Sequence, residues 1–125
     1  YAMCFDIETG DVSIHVEVSE VPASNFGALR KTGEHLKKQI GNGVLVLGSV
    51  IEGKPTVVVM ATDDSIKSGI HSGNIAKAIA GFMGGGGGGN PAVAQAGGKN
   101  AEQLPKALAA TERIIRESLS GRAGD

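Results

Sequence analysis

The chain has no tryptophan, one tyrosine, three phenylalanines and one cysteine. Each shortage narrows what the protein can be. With aromatics at 3% of residues, there are too few rings for a platform that stacks successive single-stranded bases. Cys4 stands alone, so there is no disulfide framework and no cysteine-based zinc site. We expect it to pack near the N-terminus, and a lone thiol fits a reducing, cytoplasmic setting. His15, His35 and His71 fall on different predicted elements without an i, i+4 pair, which argues against a metal site. No apolar run reaches the roughly 18 residues of a membrane span. The opening YAMCFDIETG lacks the basic and apolar regions of a signal peptide. It also lacks an initiator methionine, so we read the chain as a piece of a longer protein. Its 125 residues suit one domain with a core of its own.

The net charge of −1 hides an asymmetry. Residues 1–20 carry five acids (Asp6, Glu8, Asp11, Glu17, Glu20) and no lysine or arginine; the remainder carries twelve bases and eight acids. That mildly basic body permits a polyanionic partner without demanding one.

VSIHVEV, residues 12–18, alternates apolar and polar. It predicts a strand with one wet face near a sheet edge, and CFDIE before it can pair with it across Thr9-Gly10-Asp11. After Pro22, Ser24 or Asn25 can cap a helix. Phe26, Leu29, Gly33, Leu36 and Ile40 mark that helix's inner face, Arg30, Lys31, Glu34, Lys37 and Lys38 its outer one, and Gly41-Asn42-Gly43 its stop. VLVLGSVI (44–51) and TVVVMAT (56–62) read as strands covered on both faces, joined as an antiparallel hairpin across Glu52-Gly53-Lys54-Pro55. Strand, helix and strand form a β-α-β unit with the expected right-handed crossover. Asp63-Asp64 reads as a turn or as a carboxylate pair. A helix is expected from Ser72, with Phe82 and Met83 in the core beneath the glycines. Asn100-x-x-Gln103 predicts a single turn leading into a helix that starts near Pro105 and runs to about Leu119, with Leu104, Leu108, Thr111 and Ile115 inside.

Glycine is what the chain has in excess, 20 in all, six of them consecutive from Gly84 to Gly89. Each glycine in place of alanine costs about 0.4–1 kcal/mol through the freedom of the unfolded chain. A P-loop needs a preceding strand and a following GK[ST]; here a helix precedes and Asn90-Pro91 follows. The same helix argues against a dinucleotide fingerprint, which any six-glycine run matches trivially. Two readings remain: a slack linker, or an ordered contact loop that aims backbone N–H groups at an anion or lets a flat partner approach closely. The bounding helix and the specified NPAVAQAGG favour the contact loop.

VLVLGSVIEGKPTVVVMATDD followed by SGIHSGNIAKAIAGFMGGGGGGNPAVAQAGGKNAEQLPKAL resembles the C-terminal domain of alanyl-tRNA synthetase. That domain is of the DHH-associated superfamily, shared with DHH phosphoesterases. The motif elements are Gly84 to Gly89, Asn90, Pro91, Ala94, Gln95, Ala96, Gly97 and Gly98. The resemblance implies an α/β fold: a mixed sheet with the β-α-β unit and hairpin, helices packed on it, and a Gly-rich loop before the last helix. It implies residues 12–119 as the domain, 1–11 as a segment or linker from upstream, and 120–125 as a flexible tail. It implies binding to the outer corner of tRNA, support for homodimerisation, and cooperation with upstream domains of the same polypeptide that aminoacylate and edit. This segment is then expected to have no catalytic residue, cofactor or metal of its own; ATP and metal ions belong to the upstream domains. The RNA contacts implied are Lys67, Gly85, Gly86, Gly87, Gly88, Asn90, Gln95 and Lys99.

Residue by residue, plainer readings stand beside these. Lys67 and Lys99 can be solvated loop lysines, Asn90 and Gln95 internal braces, and the basic helix face a solvated one. The family usually carries a base in or just after its glycines, where this chain has Asn90. The alternatives are the substrate-binding domain of a DHH phosphoesterase or oligonucleotide nuclease, which Asn90 in place of a histidine counts against, and a pure oligomerisation module.

Overall fold

The computed structural model describes residues 2–10 and 12–123, with side chains through Leu119. Strand β1 (Ala2–Thr9) pairs antiparallel with β2 (Val12–Glu20), Thr9 opposite Val12. Gly10 carries the left-handed φ of 60° that this tight reversal needs; Asp11, expected in the same turn, lies outside the described residues. Helix α1 (Phe26–Lys37) follows, capped by Asn25, whose side chain accepts from the Ala28 N–H at 2.8 Å. It crosses to β3 (Gly43–Ile51), which runs parallel to β2. β3 turns back into β4 (Lys54–Ala61) through Glu52 and Gly53 alone, both with positive φ, the pattern that matches a turn to the twist of a hairpin. The short α2 (Asp63–Lys67) and α3 (Ser72–Gly81) lead to a third hairpin, β5 (Gly86–Gly89) and β6 (Val93–Gly97). β6 joins β4 antiparallel, so one mixed sheet has the order β1-β2-β3-β4-β6-β5. A 3-10 turn (Ala101–Gln103) then opens α4 (Leu104–Ala123).

The sheet is covered on both sides. Ile14, Val16, Val18, Val44, Val46, Val57 and Val59 face α3 and α4, meeting Ile75, Ile79, Leu104, Leu108 and Ile115. Leu45, Leu47, Val58 and Met60 face α1, meeting Leu29. Burying each such side chain stabilises the fold by about 1.5–3 kcal/mol. Gly33 lets α1 lie close, since a Cβ there would stand 3.1 Å from the Met60 thioether.

Several expectations are corrected. The glycine run is not a loop: Gly86 to Gly89 form an edge strand, which β-propensity does not foretell because glycine has little. Only Gly84 in the run has positive φ, so the alternating left- and right-handed anion cradle does not form. Asp63 and Asp64 lie in the first turn of α2, behind the Thr62 cap, where carboxylates complement the helix dipole. Met83 is buried but Phe82 is exposed. α1 ends at Lys37, earlier than Ile40, although Leu36 and Ile40 still pack against the cluster around Leu29. α4 continues through Ala123, into the stretch expected as a tail; residues 124 and 125 lie outside the described residues.

Candidate nucleic-acid interface

A strand of glycines has two sides, and here they differ. The register pairs Gly87 with Ala96 and Gly89 with Ala94, both buried alanines, on the α3 side. A Cβ on Gly87 would stand 2.9 Å from the Ala76 carbonyl oxygen of α3 and 2.8 Å from that of Gln95. One on Gly89 would stand 2.6 Å from the Val93 oxygen, and one on Gly85 would run into the Gly97 oxygen. Gly73 of α3 is likewise pressed against the Gly89 oxygen. Gly73 and Gly87 let α3 and the hairpin approach backbone to backbone, and Gly85 and Gly89 let the hairpin's own two arms close on each other.

Gly86 and Gly88 face the other way. They pair with Gly97 and Gln95, which in turn sit opposite Thr56 and Val58 on the α1 side of the sheet. A Cβ at either would meet nothing within 4 Å, and neither has a positive φ. The fold gives no reason for glycine there. Gly97 adds to the bare area, its nearest neighbour being the Pro55 oxygen at 3.8 Å. Together they floor a groove of about 600 Å³, bounded by Phe26 at the start of α1 and by Lys54, Thr56, Gln95 and Lys99. It is lined by two lysines and no carboxylate.

The hairpin that carries this floor is braced by Asn90. Its side-chain oxygen accepts from the Ala92 and Val93 N–H groups, each at 2.9 Å, and its own N–H donates to the Val93 carbonyl. The same turn is tied to α3: Gly73 N–H donates to the Asn90 carbonyl and Ser72 N–H to that of Pro91. His71 caps α3, its Nδ1 accepting from the Asn74 N–H at 3.1 Å.

Of the residues singled out in the sequence, the groove gathers Gly85, Gly86, Gly87, Gly88, Gln95 and Lys99. Lys67 closes α2 and does not line it, nor does Asn90 in its turn. Sequence reasoning missed Phe26, Lys54 and Thr56, because only the β4–β6 pairing brings β4 beside the glycines and only the position of α1 brings Phe26. The His15 cluster lies on β2, near the opposite sheet edge, with Nδ1 2.7 Å from Asp6 and Nε2 3.1 Å from Glu17. Those hydrogen bonds, that to Asp6 foremost, raise the imidazole above its ordinary pKa. No group of three potential metal ligands occurs among the described residues.

The DHHA1 domain model matches residues 13–117, most of the chain and all of the groove. The chain belongs to the DHHA1 domain family. This DHHA1 domain is 47% identical over 98 residues to the alanine–tRNA ligase of Herpetosiphon aurantiacus, covering 78% of the chain and 11% of that enzyme. It is 44% identical over 111 residues to that of Alkaliphilus oremlandii, covering 89% of the chain and 12% of the enzyme. The chain thus spans about a tenth of the length of the curated relatives it matches. In fold it matches the C-Ala domain of Aquifex aeolicus alanyl-tRNA synthetase, with a TM-score of 0.70 at 22% identity, covering 88% of this chain and 96% of that one. A DHH-domain structure from a member of a ribosomal-protein family shares the fold more distantly, with a TM-score of 0.56 at 17% identity over 90% of this chain and 27% of that one. In sequence the DHHA1 domain is similar to part of alanine–tRNA ligases, and in fold to the C-Ala domain of alanyl-tRNA synthetase. No helix among its described residues is long and apolar enough to cross a membrane.

Proposed function

We propose that this DHHA1 domain is the tRNA-docking module of a cytoplasmic alanine–tRNA ligase. The folded tRNA sits by its outer corner on the floor of Gly86, Gly88 and Gly97. Lys54 and Lys99 take phosphates, which position RNA without reading its sequence, and Gln95 offers a hydrogen-bonding amide to a ribose hydroxyl or base edge. Aminoacylation and editing belong to other domains of the same polypeptide, which this module helps bring to one tRNA; self-association of the module serves the same end.

One observation carries the reading. Gly86 and Gly88 have open space above them and ordinary backbone angles, so their missing side chains serve something that approaches from outside. A partner's sugar-phosphate surface can then reach the main chain itself. The near absence of aromatic rings favours such shape contact over base stacking.

The test is binding of a tRNA transcript to the wild-type chain and to Gly88→Val. Valine fills the open space without disturbing the strand, so the fold stays and affinity falls by at least tenfold. Unchanged affinity refutes the seat.

A further inference from the structure

A second hollow lies on the same face of the sheet as the glycine floor. Val93 lies two residues from Gln95 on the same side of β6. With Met60 it floors this hollow of about 380 Å³, walled by Arg30, Glu34, Lys37 and Lys38 of α1 and its C-terminal end. Both hollows border α1: Phe26, its first residue, touches the glycine floor, and the second hollow runs beside the helix from Arg30 to Lys37, its last residue. Lys31, on the same helix, lines neither.

The second hollow presents three cations against one acid. Arg30 Nε stands 3.5 Å from Glu34, both about half exposed, a geometry in which ion pairs contribute little. Lys37 and Lys38 have no carboxylate within 4.0 Å among the described residues. All three cations are therefore available to an anion that runs along α1. From Phe26 to Lys37 the helix rises about 17 Å at 1.5 Å per residue. At about 3.4 Å per stacked nucleotide, that is a span of roughly five nucleotides.

We propose that the tRNA seat continues as a track along α1, where Arg30, Lys37 and Lys38 hold phosphates of the same RNA over the roughly five nucleotides that the helix spans from Phe26 to Lys37. This rests on the tRNA-docking reading and adds to it a direction, a length and a second set of contacts. Glu34 works against the track, because its charge repels the phosphates beside Arg30.

The experiment measures tRNA affinity against salt concentration for the wild-type chain, the triple variant R30Q/K37Q/K38Q, Glu34→Gln and Gly88→Val. Every phosphate left without its cation lowers the slope of log affinity against log salt by about 0.7–0.9. The triple variant is expected to fall by about 2–3 in slope and at least tenfold in low-salt affinity. Glu34→Gln is expected to bind about two- to threefold more tightly, which a purely structural role for this helix face does not produce. A triple variant with wild-type affinity, or with weakened affinity at an unchanged slope, overturns the track. If Gly88→Val abolishes binding in that case, the glycine seat stands without it. If Gly88→Val also binds like wild type, the seat falls and the track falls with it.

Discussion

Gly86→Ala and Gly87→Ala are one residue apart and differ only in which way the new methyl points. At Gly87 the Cβ would stand 2.8 Å from the Gln95 oxygen, 2.9 Å from the Ala76 oxygen and 3.0 Å from the Ala96 Cβ. Two of these are backbone atoms, which yield only if α3 or β6 shifts. Overpacking of that kind costs about 1–3 kcal/mol. At Gly86 there is nothing within 4 Å and no positive φ, so alanine gains about 0.4–1 kcal/mol by restricting the unfolded chain. That unfolded-chain gain is common to both variants, so they should differ by the native-state cost alone, about 1–3 kcal/mol. Urea denaturation reads this directly. With a slope of about 1–3 kcal/mol per molar, the midpoints separate by roughly 1 M, Gly86→Ala above wild type and Gly87→Ala below it. For Gly86→Ala, stability and tRNA affinity move in opposite directions, as expected of a position kept for something other than the fold. Midpoints that shift together, or in the reverse order, mean that the strand register of β5 is wrong.

Two other outcomes follow from local contacts. The His15 imidazole is raised above its ordinary 6.5 by hydrogen bonds to Asp6 and then Glu17, so protonation is tighter in the folded chain. Its stabilisation is complete below about pH 6.5 and is lost as pH rises through the higher folded value; thermal melts of the wild type should fall from about pH 6 to about pH 8 more steeply than those of His15→Gln, and identical slopes refute the linkage. Asn90→Ala removes the acceptor for the Ala92 and Val93 N–H groups and should lower stability by about 1–2 kcal/mol in a denaturant titration, with hydrogen exchange rising first in the β5–β6 turn.

The sequence made the first half of the chain readable and the second half less so, for a physical reason. β2, β3 and β4 are marked by apolar alternation or continuous apolar runs, α1 by a face with a 3.6-residue period, and the turns by Gly10 and Gly53. These signals are local. α4 and its 3-10 lead-in were likewise legible from Asn100, Pro105 and the Leu104, Leu108 and Ile115 spacing. β5 carries no local signal, because its identity as a strand comes from α3 lying on it and from β6 beside it, both fixed by tertiary contact. The candidate site was half legible for the same reason: its glycines, Gln95 and Lys99 advertise themselves in one stretch, whereas Lys54, Thr56 and Phe26 join it only through the β4–β6 register and the position of α1.

The pleat of β5 divides one monotonous tract into two populations with separate fates. Positions 85, 87 and 89 answer to the architecture, and any descendant that fills them forfeits the hairpin's close fit to its partners. Positions 86 and 88 answer, on the proposed reading, only to the cargo. A lineage released from carrying RNA can therefore let these two drift while the other three stay fixed. An every-second-residue rhythm of substitution inside the tract would be the fossil of an abandoned job in a domain that still folds.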